Sequence, residues 1–142
     1  VDPKRCLKLL EHVDVFVVNE DEARVITEGT SLLRQAHVIR ESGARVAVIT
    51  RGSRGLLAED GHSTFEMGVF RVPLVDPSGC GDCFNAGLVA ALVRGWELPR
   101  VLEFASAVGA LGATALGCTN GVPSFADVES FLEEKRLEDI CR

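Results

Sequence analysis

Two short runs of β-branched residues constrain this chain more than any other feature. Val13-Asp14-Val15-Phe16-Val17-Val18 and Arg45-Val46-Ala47-Val48-Ile49-Thr50 are apolar enough to be buried strands. Helical spacing surrounds them. Leu7, Leu9 and Leu10 precede the first run, and Ser31 to Ser42 lies between the two, stopped by Gly43. Asn19 ends the first strand with Glu22 three residues on, the spacing of a capping box, so a helix to about Ile26 should follow. Strand, helix and strand in this order favour parallel pairing through crossover helices, an α/β architecture. The low aromatic content of 6%, with no Tyr, suits closely packed layers better than a β-sandwich.

Beyond the second strand, Leu56 to Glu59, the turn Asp60-Gly61 and His62 to Phe65 have the form of a hairpin. Phe70 to Val75 reads as a further extended segment, interrupted at Pro73. Helices are expected from about Asp82 to Arg94, closed by Gly95, and from Pro99 to about Leu116. In the latter, Ala105, Gly109, Ala113 and Gly117 recur every fourth position, a stripe that lets another backbone approach closely. Ser124 caps a last amphipathic helix running through Leu132. No repeat or linker interrupts residues 1–142, which read as one domain.

Bulk properties exclude several functions. A net charge of −6 and the lack of a basic stripe argue against a nucleic-acid partner, so any phosphate must be held locally by amides or a metal. The weakly polar stretch from Phe104 to Cys118 is too short for a membrane span. The charged opening Val-Asp-Pro-Lys-Arg carries no signal-peptide pattern. Cys6, Cys80, Cys83, Cys118 and Cys141 are too few and scattered for a disulfide framework, which points to reduced thiols and a cytoplasmic protein.

The chemistry concentrates in Asp76-Pro77-Ser78-Gly79-Cys80-Gly81-Asp82. Glycines flanking Cys80 permit successive backbone N–H groups to point one way, and a helix starting there adds its positive dipole end. Together these suit an anion, or the charge on a migrating phosphoryl group. Asp82, in the first helical turn, is then placed to take a hydroxyl proton. A plain glycine-rich turn, with Asp82 as an ordinary helix-start carboxylate, is the simpler alternative, just as Asn19 and Glu22 can close a helix with no ligand. Cys80 and Cys83 form a Cys-x-x-Cys pair. Zinc would need two further ligands, whereas a helix start predicts a lowered pKa and an oxidisable Cys80. His12, His37 and His62 read as surface residues, and Trp96 as packing.

The pattern Asp-x-x-Gly-x-Gly-Asp at 76–82 resembles the signature of the ribokinase-like, or PfkB-type, carbohydrate kinases. Three further elements are similar in the same order: Asn19-Glu20-Asp21-Glu22, Ile49-Thr50-Arg51-Gly52-Ser53-Arg54-Gly55, and Phe104-Ala105-Ser106-Ala107 with Gly117-Cys118-Thr119-Asn120-Gly121. The resemblance implies a Rossmann-like, three-layer α/β/α fold with a mostly parallel sheet, of which only the C-terminal, nucleotide-binding part is present. It implies ATP with Mg²⁺, and a sugar or nucleoside hydroxyl as acceptor. Asp82 would be the catalytic base, and the amides of Gly79, Cys80 and Gly81 the anion hole. Asn19 would touch the phosphates, and Glu22 would orient Mg²⁺ through water. Thr50, Arg51, Gly52, Ser53, Arg54 and Gly55, with Gly81, would line the nucleotide, and Ser106 would lie near its base. Asp76 and Ser78, closed by backbone around Gly112, Ala115, Gly117 and Gly121, would form a K⁺-type site. Pro77 and Cys80 stand where the family more often has Thr and Ala, and Gly121 lacks a hydroxyl that some members supply.

Family members are longer, and their earlier half carries the sugar pocket and a β lid that excludes water. This chain alone is therefore expected to bind nucleotide weakly and transfer little. An exposed sheet edge is expected to promote self-association, as a homodimer or with a partner supplying the missing half. A non-catalytic nucleotide-binding module and a thiol redox protein are the competing readings.

Overall fold

The computed structural model describes residues 2–140, so Val1, Cys141 and Arg142 lie outside the described residues. The chain divides into two compact units, one ending at Gly68 and the other beginning at Val69.

The first unit is a mixed sheet with helices. Helix α1 (Pro3–Leu9) runs through a 3-10 turn at Leu10–His12 into strand β1 (Val15–Asn19). Helices α2 (Glu20–Thr27) and α3 (Leu32–Glu41) then lead to strand β2 (Val46–Thr50). The expected parallel pair is present, with Val15 opposite Val46 and Asn19 opposite Thr50. Strands β3 (Leu56–Glu59) and β4 (Thr64–Met67) form the expected hairpin and pair antiparallel, giving the order β1-β2-β3-β4. The mostly parallel expectation holds only at β1–β2; the short connections at 51–55 and around Asp60-Gly61 can join only antiparallel strands, so β2–β3 and β3–β4 run antiparallel and the described sheet is mixed. Leu10, Ala23, Ala36, Ile39, Ala47 and Ile49 are buried in one cluster between helices and sheet. Small Ala side chains allow the helices to lie close, so Ala47 and Ile49 of β2 are fully covered.

The second unit is helical. Helix α4 (Cys80–Leu92) packs on α5 (Leu98–Gly112), followed by α6 (Phe125–Ile140). The small-residue stripe is used, and α4 is the backbone that approaches it. A methyl group at Gly87 would sit 2.8 Å from Val108 and 3.1 Å from Ala105, and one at Gly109 would sit 3.2 Å from the Cys80 carbonyl. Helix α5 stops at Gly112 rather than continuing to Leu116. The Ala113 carbonyl is taken by the amides of Val75 and Asp76, at 2.9 and 3.1 Å. The same bonds explain why 70–75 forms no strand, since Val75 pairs with a helix end instead of a neighbouring strand. Trp96 does pack, edge-on to Phe104 at 5.4 Å and beside Phe125. Among the described residues no helix is long and apolar enough to cross a membrane.

Ile39 is fully buried in the first unit's cluster. Ile39→Ala should cost about 2–5 kcal/mol through lost transfer energy and a cavity. A fall in the urea midpoint with an unchanged slope is the expected result.

Candidate functional site

The candidate residues of the first unit gather at the carboxyl ends of β1 and β2, the edge where parallel α/β sheets bind ligands. Asn19 ends β1 and caps α2. Its Oδ1 accepts the Glu22 amide at 2.8 Å, and Glu22 Oε2 accepts the Asn19 amide at 2.9 Å. The capping box is therefore real, and it ties up one oxygen of each side chain. Both residues remain exposed. Thr50, opposite Asn19, donates its hydroxyl to the Val18 carbonyl at 3.4 Å.

Beyond Thr50 the chain turns tightly. The Arg51 amide donates to the Gly55 carbonyl at 2.8 Å around a 3-10 turn at Gly52–Arg54. Its two arginines are already engaged. Arg51, only 13% exposed, pairs with Glu66 at 2.8 Å, and Arg54 pairs with Glu20 at the start of α2. A methyl group built on Gly52 would meet nothing within 4 Å, and Ser53 is exposed. Gly52 and Ser53 are thus the open part of this turn, while Arg51 and Arg54 hold it. Glu20 and Glu66 are the residues that sequence reasoning overlooked. Their arginines lie 34 and 15 positions away, a separation that no local pattern records.

In the second unit, Gly79 is the N-cap of α4 with φ 78° and ψ −1°, a left-handed conformation that disfavours a side chain. Gly79 offers no side-chain oxygen, so no side chain caps the first helical amides. The Cys80 amide makes a long 3.3 Å bond to the Pro77 carbonyl, and the Cys83 amide closes the first turn on Gly79 at 2.9 Å. Gly81 and Asp82, between them, are exposed. The turn therefore combines a helix start without a side-chain cap with an exposed carboxylate in its first turn. That combination can stabilise an anion and accept a proton at neighbouring points.

Asp76 organises the approach to this turn. Its Oδ1 accepts the Ser78 amide at 2.9 Å, and its Oδ2 accepts the Gly117 amide at 2.9 Å. These bonds, those from Ser78 foremost, hold the carboxyl below its ordinary 3.8. Asp76, Ser78 and Gly117 are thus brought together, and Gly112 lies directly against Gly121, with Ala115 in the intervening turn. A carboxylate and backbone carbonyls are hard oxygen donors, the type that suits an alkali or alkaline-earth cation. Ser106 lies half-buried on α5.

The expected low pKa of Cys80 is not found. Burial, then the neighbouring Cys83 thiol and the Asp76 charge, push Cys80 upward, and burial pushes Cys83 upward as well. Desolvation disfavours the thiolate, the charged form. Cys118, exposed, lies against the Gly79 α-carbon.

Residues 2–124 match the family described as pfkB family carbohydrate kinase. The chain belongs to the pfkB family of carbohydrate kinases. It is 30% identical over 132 residues to the ribokinase of Haemophilus influenzae, covering 89% of this chain and 43% of that protein. Its fold is similar to that of an Escherichia coli protein described as a ribokinase II, solved with ATP and Mg²⁺ (TM-score 0.85, 27% identity, 92% of this chain and 42% of that one). It is also similar to aminoimidazole riboside kinase from Salmonella enterica, solved with aminoimidazole riboside and an ATP analogue (TM-score 0.81, 26% identity, 92% and 46%). This pfkB-family chain has the ribokinase-type α/β fold and spans less than half the length of these relatives.

The bonds to Asp76 stabilise the fold only while its carboxyl is ionised. Because the folded pKa lies below 3.8, that contribution is complete above 3.8 and is lost as pH falls through the lower, folded value. Asp76→Ala should lower the unfolding midpoint near neutral pH, and the gap from wild type should close in strong acid. A gap that stays constant across the acid range would contradict this role.

Proposed function

We propose that residues 1–142 are the nucleotide-binding and catalytic part of a carbohydrate kinase domain, which transfers the γ-phosphoryl group of ATP to a hydroxyl of a sugar or sugar-like acceptor. Membership of the pfkB family supports the reaction class. The observation that carries the residue assignment is the start of α4, where a left-handed Gly79 leaves the first-turn amides uncapped beside exposed Asp82. In this reading Asp82 removes the acceptor proton as the hydroxyl oxygen attacks. The amides of Gly79, Cys80 and Gly81 meet the charge on the migrating phosphoryl group. The Cys80 amide must give up its long bond to Pro77 to take part.

Asn19 and the open Gly52-Ser53 pair contact the nucleotide phosphates, Thr50 and Gly55 shape that turn, and Ser106 lies near the base. Arg51 and Arg54 contribute by holding the turn through Glu66 and Glu20. Mg²⁺, held through water at Glu22, would neutralise phosphate charge. Asp76, Ser78, Gly112, Ala115, Gly117 and Gly121 would hold K⁺ beside the anion hole. A cytoplasmic location and an acceptor pocket outside these 142 residues belong to the same reading.

A second reading is a nucleotide-binding module without transfer. ATP calorimetry on this chain, joined to product analysis with a panel of sugars in a full-length kinase carrying it, separates the two. ATP binding without any phosphorylated product in the longer protein favours the module.

In that full-length kinase, Asp82→Ala should lower kcat about 10²–10⁴-fold while ATP affinity stays close to wild type. Retained turnover would refute Asp82 as the base.

A further inference from the structure

The Cys-x-x-Cys motif first directs attention to Cys80 and Cys83, yet the structure offers Cys83 a different neighbour. Residues four apart lie on one face of a helix, so Gly79 and Cys83 stack along the same side of α4. Cys118 lies across that side. A methyl group on Gly79 would be 2.8 Å from both Cα and Cβ of Cys118, and the Cys83 Sγ is 4.0 Å from the Cys118 carbonyl oxygen. Cys83 and Cys118 therefore come from segments 35 positions apart in sequence and lie close together beside the turn that starts α4. They differ in access: Cys83 is buried at 4% exposure, whereas Cys118 is exposed.

We propose that Cys83 and Cys118 form a reversible disulfide, a modification site that ties the loop at 117–121 to the first turn of α4. The oxidant is a peroxide, and the exposed thiol reacts first. Cys118 sulfur attacks a peroxide oxygen, the O–O bond breaks, and one water leaves as Cys118 becomes a sulfenic acid. Cys83 sulfur then attacks Cys118 sulfur, the S–O bond breaks, and a second water leaves as the S–S bond forms. Two thiols lose two electrons and two protons, and hydrogen peroxide becomes two waters. A small-molecule dithiol restores both thiols.

The bond closes a loop of substantial length in the unfolded chain and joins the proposed anion-binding turn to Gly117 and Gly121. Its regulatory consequence rests on the kinase reading, but its formation does not.

The test treats the chain with hydrogen peroxide and maps tryptic peptides under non-reducing conditions. Cleavage at Arg71, Arg94 and Arg100 puts Cys80 and Cys83 on one peptide and Cys118 on another. The expected product joins those two peptides, persists in Cys80→Ser, is absent in Cys83→Ser and Cys118→Ser, and disappears with dithiothreitol. Amide exchange at 79–83 and 117–121 should slow in the oxidised protein. A bond confined to the Cys80–Cys83 peptide would overturn the proposal, as would a link lost in Cys80→Ser. Over-oxidised Cys118 without a bond, or exchange unchanged by the bond, would do the same. None of these readouts depends on ATP, so failure here leaves the kinase reading untouched.

Discussion

The organisation of the second unit depends on a backbone reversal that leaves a helix start open. Gly79 adopts φ 78° as the N-cap of α4, and Cys118 occupies the space where a side chain would project. Any larger residue would meet both an unfavourable backbone region and the Cys118 backbone. The same reversal leaves α4 without a side-chain cap. Helix starts ordinarily satisfy these amides with a Ser, Thr, Asp or Asn. In the first unit α2 and α3 do so, through Asn19 and Ser31. Helix α5, entered from Glu97, likewise has no side-chain cap, so what sets α4 apart is the left-handed Gly79 at its start beside exposed Asp82.

Two features hold that start in place. Asp76 accepts amides from Ser78 and from Gly117, and so ties the turn before α4 to the loop after α5. Glycines at 87 and 109 let α4 and α5 approach until the Cys80 carbonyl lies close to the α5 backbone. Close backbone packing limits the helices' freedom to shift, which keeps the orientation of the first-turn amides well defined. In the first unit the analogous task falls to ion pairs. Glu20 and Glu66 take up Arg54 and Arg51, leaving Gly52 and Ser53 as the accessible part of the turn after β2.

Much of this was legible from local pattern. The capping box at Asn19 and Glu22, the hairpin around Asp60-Gly61 and the helix expected from about Asp82, which begins at Cys80, each depend on residues within a few positions of one another. The early end of α5 and the missing strand at 70–75 were not legible. Both follow from the Ala113 carbonyl accepting the amides of Val75 and Asp76, which are remote in sequence. The upward shift of the Cys80 thiol escaped for the same reason: helix position is visible in sequence, whereas burial and the nearness of Asp76 are not.

The order of residues by itself determined the α/β class, the two adjacent strands ending in Asn19 and Thr50, and the glycine-rich entry to a helix carrying Asp82. These arise from side-chain periodicity and backbone preferences, which act over a turn or two of chain. Only the tertiary structure decided which arginines are engaged, that the Cys83 sulfur lies beside the Cys118 carbonyl, and that one carboxylate, Asp76, joins two distant segments. Those outcomes depend on distances between residues far apart in sequence and on exclusion of water around them. Packing sets both quantities, and no local pattern encodes them.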